Sequence, residues 1–172
     1  MSAVGWRDVS ARNVLLIASA ALFVGKAIAA VQLGFGDSEA LYATYAIDLA
    51  PTYLDHPAGV AVLARIIAWV SSESVVSPMR AHLVTLLLSS IVPFVGVIAA
   101  RACGASRERS WVTGVALVAA PEIAVGLFGM TPDLPLSITW LLVIALVGVA
   151  LRDQSRGLSR SFALWVGAGV AA

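Results

Sequence analysis

The sequence predicts an all-α polytopic membrane protein. Hydrophobic residues make up 60% of the 172 positions and charged residues only 12%, whereas charged residues are about 25% of a typical soluble domain. So few charges could not cover the surface of a soluble globular protein. A mean hydropathy of +0.93 and several apolar runs of roughly 20 residues, the length that crosses a bilayer, indicate the same class.

Four apolar segments are long enough to cross a membrane, and a fifth stops short. The fifth has about 12 residues, too few to cross a bilayer, so we expect the chain to be the amino-terminal part of a longer transmembrane domain. Pro93 is expected to kink the second span, and Pro121 interrupts the third near its middle. The complete spans are expected near 14–33, 79–100, 111–130 and 134–151, and the incomplete one at 161–172.

The basic residues predict the orientation of these spans. With the amino terminus in the cytoplasm, eight of the eleven Lys and Arg residues fall on the cytoplasmic side, as the positive-inside rule requires. Residues 34–78 then form the first extracytoplasmic loop. Within it, residues 57–70 are apolar except for Arg65, which would be costly in lipid, so we expect an amphipathic helix on the membrane surface there. The eight cytoplasmic residues are Arg7, Arg12, Arg101, Arg107, Arg109, Arg152, Arg156 and Arg160.

The rest of the composition excludes other functional classes. The net charge is +1 and no basic run occurs, so nothing in the sequence indicates a nucleic-acid partner. The single cysteine, Cys103, permits neither an internal disulfide nor a cysteine-based metal cluster.

An acidic stretch over residues 34–58 holds the main candidates for chemistry, with no Lys or Arg among them. A carboxylate at a membrane edge can act as a general base or hold a divalent cation. Alternatively, Asp37 or Ser38 is a helix N-cap and Glu39 complements the helix dipole. From the residues alone both interpretations stay open. The stretch contains one of the two histidines, His56, and four of the ten acidic residues, Asp37, Glu39, Asp48 and Asp55.

Other polar residues also have more than one interpretation. Asp133 follows Pro132 as a turn residue does, but it lies on the same side of the membrane as the acidic stretch. Arg65 and Arg80 lie towards that side, where they can meet a phosphate or simply be solvated. Inside the spans, Lys26 can pair with Glu122, bind a lipid phosphate or extend to the membrane surface, and the last is the simplest expectation.

Three segments, in this order, resemble the motifs of a known family. They are residues 36–42 (GDSEALY), 53–58 (YLDHPA) and 131–136 (TPDLPL). They resemble the amino-terminal half of bacterial glycosyltransferases of the GT-C fold, in the superfamily of dolichyl-phosphate-mannose-protein mannosyltransferases and aminoarabinose transferases. That family has an Asp-Glu-Ala-x-Tyr loop, an Asp-His-Pro-Pro turn and a later Thr-Pro-Asp-x-Pro-Leu. The resemblance covers nearly the whole chain.

The resemblance implies an enzyme of the bacterial inner (plasma) membrane. Such an enzyme moves a sugar from a polyprenyl-phosphate carrier to a lipid or protein acceptor at the extracytoplasmic face. Residues 1–172 would be the amino-terminal part of its GT-C transmembrane domain, with short surface helices in the loop 34–78. Glu39 matches the family's Glu, whereas Ser38 stands at the family's Asp and Asp37 comes one place earlier. Asp37 and Glu39 are therefore both candidates for the catalytic base.

The resemblance also implies a substrate-binding set and partners. The partners are the polyprenyl-phosphate-linked sugar, its lipid or protein acceptor and membrane lipids, with no nucleic acid. No cofactor is assigned, although a divalent cation is compatible with the carboxylates. Two alternatives stay open: a transporter or flippase-like subunit, and a truncated non-catalytic membrane protein. The expected substrate-binding residues are Tyr42, Asp55, His56, Asp133, Arg65 and Arg80.

Overall fold

The structure, a computed structural model, describes residues 10–47, 50 and 58–152 and the four positions 163, 165, 167 and 169. Every regular element in this part of the chain is helical. In chain order the elements are α1 (Ala11–Gln32), α2 (Asp37–Thr44), α3 (Gly59–Ser71), α4 (Pro78–Ala102), α5 (Arg107–Ala119), α6 (Pro121–Ala124), a 3₁₀ turn (Gly126–Phe128) and α7 (Asp133–Arg152).

Local sequence explains where several helices begin. Ser10 precedes α1 and its side chain accepts a hydrogen bond from the Asn13 amide at 3.3 Å. Ser106 does the same for α5, with the Arg109 amide at 3.3 Å. These contacts satisfy amide groups that have no partner within the first helical turn. Pro78 opens α4 at a position where a missing N–H costs nothing.

Three helices, α1, α4 and α7, are long and apolar enough to cross a membrane. Their bounds lie within three residues of the spans expected near 14–33, 79–100 and 134–151. Large apolar side chains such as Ile17, Val31 and Ile98 are more than half exposed on their outer surfaces. A surface of this kind suits lipid, and together with the helix lengths it indicates a membrane protein.

The expected count of four complete spans plus a truncated fifth is not supported. The predicted span near 111–130 is broken, because α5 ends at Ala119 and the chain bends by 72° into α6 and the 3₁₀ turn. Pro121 explains the break, since its ring disfavours helical geometry at the preceding residue, and Ala120 is extended at φ −69° and ψ 124°. Among the residues that the structure describes, three helices are long and apolar enough to cross a membrane, or four if the bent pair counts as one. The expected fifth segment, 161–172, lies mostly outside the described residues.

Helix α4 is the central element of the bundle. It packs against α1, α5, α6 and α7 along its length, and against α3 near its start. In its most apolar window 44% of the residues are buried, against 11% for α1, which therefore lies at the edge. The helix continues through Pro93 without a break, so the Ser89 carbonyl loses the amide that would normally bond to it.

The described parts of the loop expected over 34–78 contain two short helices. The helix expected over 57–70 runs from Gly59 to Ser71, and the helix for which Asp37 or Ser38 was a candidate N-cap runs from Asp37 to Thr44. Both pack on one apolar cluster beside the start of α4. Its buried members are Tyr42, Ala43, Ala46, Val60, Ala64, Ile67, Ala68, Val76, Ala81 and Met130.

A glycine sets the close approach of α7 to α4. A Cβ atom added to Gly148 would lie 2.8 Å from the Cys103 Sγ and 2.9 Å from backbone atoms of Ala102 and Cys103. We expect Gly148→Ala to destabilise the fold by about 1–3 kcal/mol, because backbone cannot move aside as a flexible side chain can. The measurement is the midpoint of unfolding in detergent, with circular dichroism as the signal.

Gly25→Ala is the matched control. Gly25 is also helical, but nothing lies within 4 Å of its added Cβ atom. Its midpoint should stay at or above that of the wild type, since alanine is the better helix former. Equal losses in the two variants would contradict the packing argument.

Candidate functional site

The Glu39 carboxylate joins three parts of the fold. One oxygen, Oε1, accepts a hydrogen bond from the Met130 amide at 2.7 Å and lies 3.1 Å from His82 Nε2. The other, Oε2, accepts from the Gly36 amide at 3.0 Å. The side chain is only 14% exposed. The carboxylate therefore connects the start of α2, the start of α4 and the segment that leads into α7.

The local sequence places Glu39 for the first of these contacts. Helix α2 begins at Asp37, so Gly36 is the N-cap and Glu39 is the third helical residue. From that position a glutamate reaches back to the N-cap amide, which is half of a capping box. The N-cap expected at Asp37 or Ser38 was therefore wrong by one or two residues, because glycine takes that position. The expectation that Glu39 lies in the first turn is confirmed.

His82 is the partner that sequence reasoning missed. In the sequence it is only a polar residue near the start of an apolar segment, but its side chain is 2% exposed and lies against Glu39. Its ring lies against Phe35 and Phe128, with centroid distances of 6.0 and 5.0 Å. The contact is an ion pair when the imidazole is protonated and a hydrogen bond when Nε2 carries the only proton. His82 Nδ1 has no hydrogen-bond partner among the described residues.

Polar side chains on one face of α4 contribute hydrogen bonds that fix the broken helix, which is the segment from α5 through α6 to the 3₁₀ turn. Thr85 lies one turn after His82, and its hydroxyl donates a short hydrogen bond to the Phe128 carbonyl. Ser89 follows one turn later and accepts a hydrogen bond from Lys26 Nζ at 3.1 Å. Residues at this spacing lie on one side of a helix. The pattern His82, Thr85, Ser89 within an apolar span was the sequence signal for this face.

Asp37 is placed differently from Glu39. It is the first residue of α2, is exposed, and makes no hydrogen bond or ion pair with other described residues. Asp133, the first residue of α7, and Arg80, in the first turn of α4, are exposed in the same way. Arg65 lies on α3 and donates to the Ala46 carbonyl at 2.8 Å. Glu39 is therefore a hydrogen-bonded, largely buried carboxylate, whereas Asp37 and Asp133 are exposed carboxylates.

The other expected site residues divide into two groups. Tyr42 is 6% exposed and packs in the apolar cluster that includes Met130, with its ring 5.9 Å from that of Tyr45. Asp55 and His56 lie outside the described residues. Within the part of the chain that the structure describes, no group of three or more His, Cys, Asp or Glu is placed to hold a metal ion.

Two contacts join residues that lie in or directly beside the sequence motifs. Glu39, in the first motif, bonds to Met130, which directly precedes the third motif at 131–136. Gly59 directly follows the second motif at 53–58, and a Cβ atom added there would lie 4.0 Å from Pro135 Cγ in the third. Segments about 90 residues apart in the chain are therefore neighbours at one end of the bundle.

Lys26 forms a second buried polar group. It is 9% exposed, and its Nζ donates to the Ser89 hydroxyl at 3.1 Å and to the Ile123 carbonyl at 3.4 Å. The expectation that it extends to the membrane surface was wrong, because these two acceptors lie within the bundle. Glu122 is exposed and makes no ion pair with a described residue. Lys26 instead stabilises the broken helix at a carbonyl near the end of α6.

Comparison with known proteins adds no relative. No protein-family model matches the sequence, and neither characterised proteins nor solved structures give a significant match. The resemblance to GT-C enzymes therefore rests on the three motifs.

Glu39→Ala tests the joining role of the carboxylate. The change leaves the Met130 amide and the His82 ring without their partner, so we expect a loss of about 2–4 kcal/mol in the free energy of unfolding. Asp37→Ala is the matched control on the same helix, and it should change stability little because the Asp37 side chain is exposed. Reversible unfolding in detergent measures both. A Glu39 variant as stable as the Asp37 variant would contradict the role.

Proposed function

We propose that this chain carries the extracytoplasmic site of a GT-C-type membrane glycosyltransferase. The enzyme moves a sugar from a polyprenyl-phosphate carrier to a lipid or protein acceptor. The observation that best supports the proposal is the bond from the Met130 amide to Glu39. It joins the first motif to the segment before the third, and chain segments that share a site must meet in space.

The two candidate carboxylates then have different roles. Glu39 accepts from two amides and contacts His82, so both of its oxygens are engaged and it positions α2. Asp37 is exposed at the start of the same helix, where a carboxylate can reach an acceptor hydroxyl. Asp37 is therefore the proposed general base, and Glu39 is the positioning residue.

The proposed reaction is an inverting transfer. The acceptor oxygen attacks the anomeric carbon while Asp37 takes the hydroxyl proton. The bond from that carbon to the carrier phosphate breaks, and the polyprenyl phosphate leaves with the electron pair. An arginine near the phosphate stabilises the charge that develops on it. Arg80, exposed in the first turn of α4, is the better candidate, because Arg65 already bonds to the Ala46 carbonyl.

The proposed topology places this site outside a bacterial inner membrane, with the amino terminus in the cytoplasm. Counting α5, α6 and the 3₁₀ turn as one bent span gives four spans before residue 153. Basic residues gather at the opposite end from Glu39: Arg152 donates to the Arg101 carbonyl at 3.1 Å, and Arg12 and Arg107 line one pocket. This distribution supports the orientation by the positive-inside rule.

The transporter alternative receives less support. It needs Lys26 and Glu122 as intramembrane charges at a substrate site near the middle of the bilayer. Lys26 is occupied by Ser89 and the Ile123 carbonyl, and Glu122 is exposed and makes no ion pair with it. The free carboxylates lie at the end of the bundle instead.

Asp37→Asn tests the proposed base. Membranes that contain the complete gene product are supplied with a labelled polyprenyl-phosphate sugar, and transfer is followed with time. We expect transfer to fall by about 10² or more, the typical contribution of a general base, with an unchanged unfolding midpoint. Glu39→Gln should lower the midpoint but keep measurable transfer, since its amide oxygen still accepts from Met130.

Glu108→Gln is the control, because Glu108 is an exposed carboxylate in the first turn of α5, at the other end of the bundle. It should transfer at the wild-type rate. Full transfer by Asp37→Asn would rule out Asp37 as the base, whatever the Glu39 variant does.

A further inference from the structure

A polar pocket lies inside the bundle, away from the proposed transferase site. It is bounded by α1, α4, α5 and α6, and the space that the centre of a water-sized sphere can reach inside it is about 10 Å³. That room suits about one water-sized group. Its lining residues are Ser19, Leu22, Lys26, Ser89, Ser90, Pro93, Val118 and Ile123.

Two hydrogen-bond donors in this pocket have no partner among the described residues. An ammonium group has three N–H donors, and Lys26 uses two of them, on Ser89 and on the Ile123 carbonyl. The Ser19 hydroxyl lines the same pocket, is buried, and has no hydrogen-bond partner among the described residues. By contrast, Ser90 donates to the Leu86 carbonyl at 2.6 Å. Two donors therefore remain for a further acceptor.

The charge of Lys26 has no counter-ion in the described part of the chain. The one ion pair found there joins Glu39 and His82, and His82 lies seven residues, about 10 Å, before Ser89 on α4. A buried ammonium without an opposite charge is unfavourable in an apolar bundle. A negatively charged acceptor in the pocket would satisfy the charge and both free donors at once.

We propose that Lys26 and Ser19 form an intramembrane binding site for one small anionic acceptor. The pocket has room for a single halide ion, or for one phosphate oxygen of an anionic lipid. A lipid can approach because α1 lies at the edge of the bundle, with 11% of its most apolar window buried. The site is independent of the proposed transfer reaction, since neither residue belongs to the three motifs.

The test uses the complete gene product in lipid nanodiscs, with the unfolding midpoint as readout. One arm adds sodium bromide to phosphatidylcholine discs, with sodium gluconate holding the ionic strength constant. The other arm replaces part of the phosphatidylcholine with phosphatidylglycerol and adds no bromide. We expect at least one arm to raise the midpoint, on the order of 5 °C at saturation. A bromide response identifies a free anion, and a phosphatidylglycerol response identifies a lipid headgroup.

Variants assign the response to the pocket. Lys26→Met should abolish it, whereas Arg109→Met removes an exposed charge elsewhere on the bundle and should keep it. Ser19→Ala should weaken apparent affinity about tenfold, the effect of one hydrogen bond to a charged group. Ser90→Ala, whose hydroxyl is already satisfied, should match the wild type.

Three results would overturn the proposal. The first is an unchanged unfolding midpoint in both arms, which is the result expected if the Lys26 amine is neutral. The second is a full response in Lys26→Met. The third, which decides the matter if Lys26→Met does not fold, is the same affinity in Ser19→Ala as in Ser90→Ala.

Discussion

A helix that breaks inside an apolar bundle must have its free backbone groups hydrogen-bonded by other parts of the chain. Water is excluded there, so each unsatisfied amide or carbonyl costs several kcal/mol. In this protein the break follows Ala119, and the side chains that meet its backbone come from three other helices. Lys26 of α1 bonds to the Ile123 carbonyl, Thr85 of α4 to the Phe128 carbonyl, and Glu39 of α2 accepts from the Met130 amide. Most of the buried polar contacts follow from this one requirement.

The same requirement explains how α2 is stable. A helix of eight residues is well below the roughly 12–15 at which isolated helices become even marginal. Its stability must come from tertiary contacts, which here are the Glu39 carboxylate and the apolar cluster around Tyr42 and Met130. The Met130 amide therefore needs a hydrogen-bond acceptor, and α2 needs a contact that holds it against the bundle. The Glu39 carboxylate provides both, and it thereby fixes the position of Asp37 on the same helix.

The long helices were predictable from sequence because lipid imposes a length and a composition on them. The ends of α1, α4 and α7 could be read to within three residues, and Pro121 marked the break. What could not be read was the geometry after the break, since a proline frees a carbonyl but does not say which side chain takes it. Lys26 and Ile123 are 97 residues apart in the chain, and Glu39 and His82 are 43 apart. The sequence around one member of such a pair does not predict which residue will be its partner.

Glu39 shows why local patterns left two interpretations open. A glutamate in the first turn of a helix predicts a cap, and an acid in this loop predicts chemistry by resemblance. The structure shows the cap at Gly36 and adds two partners that neither pattern contains. A carboxylate with three partners is well placed to hold geometry and poorly placed to accept a proton in a reaction. Asp37 is exposed and lies one residue before the position that matches the aspartate of the resembled motif. It is therefore well placed to accept a proton and poorly placed to hold the geometry. Glu39 and Asp37 lie on the same short helix, so a shift of Glu39 would displace Asp37.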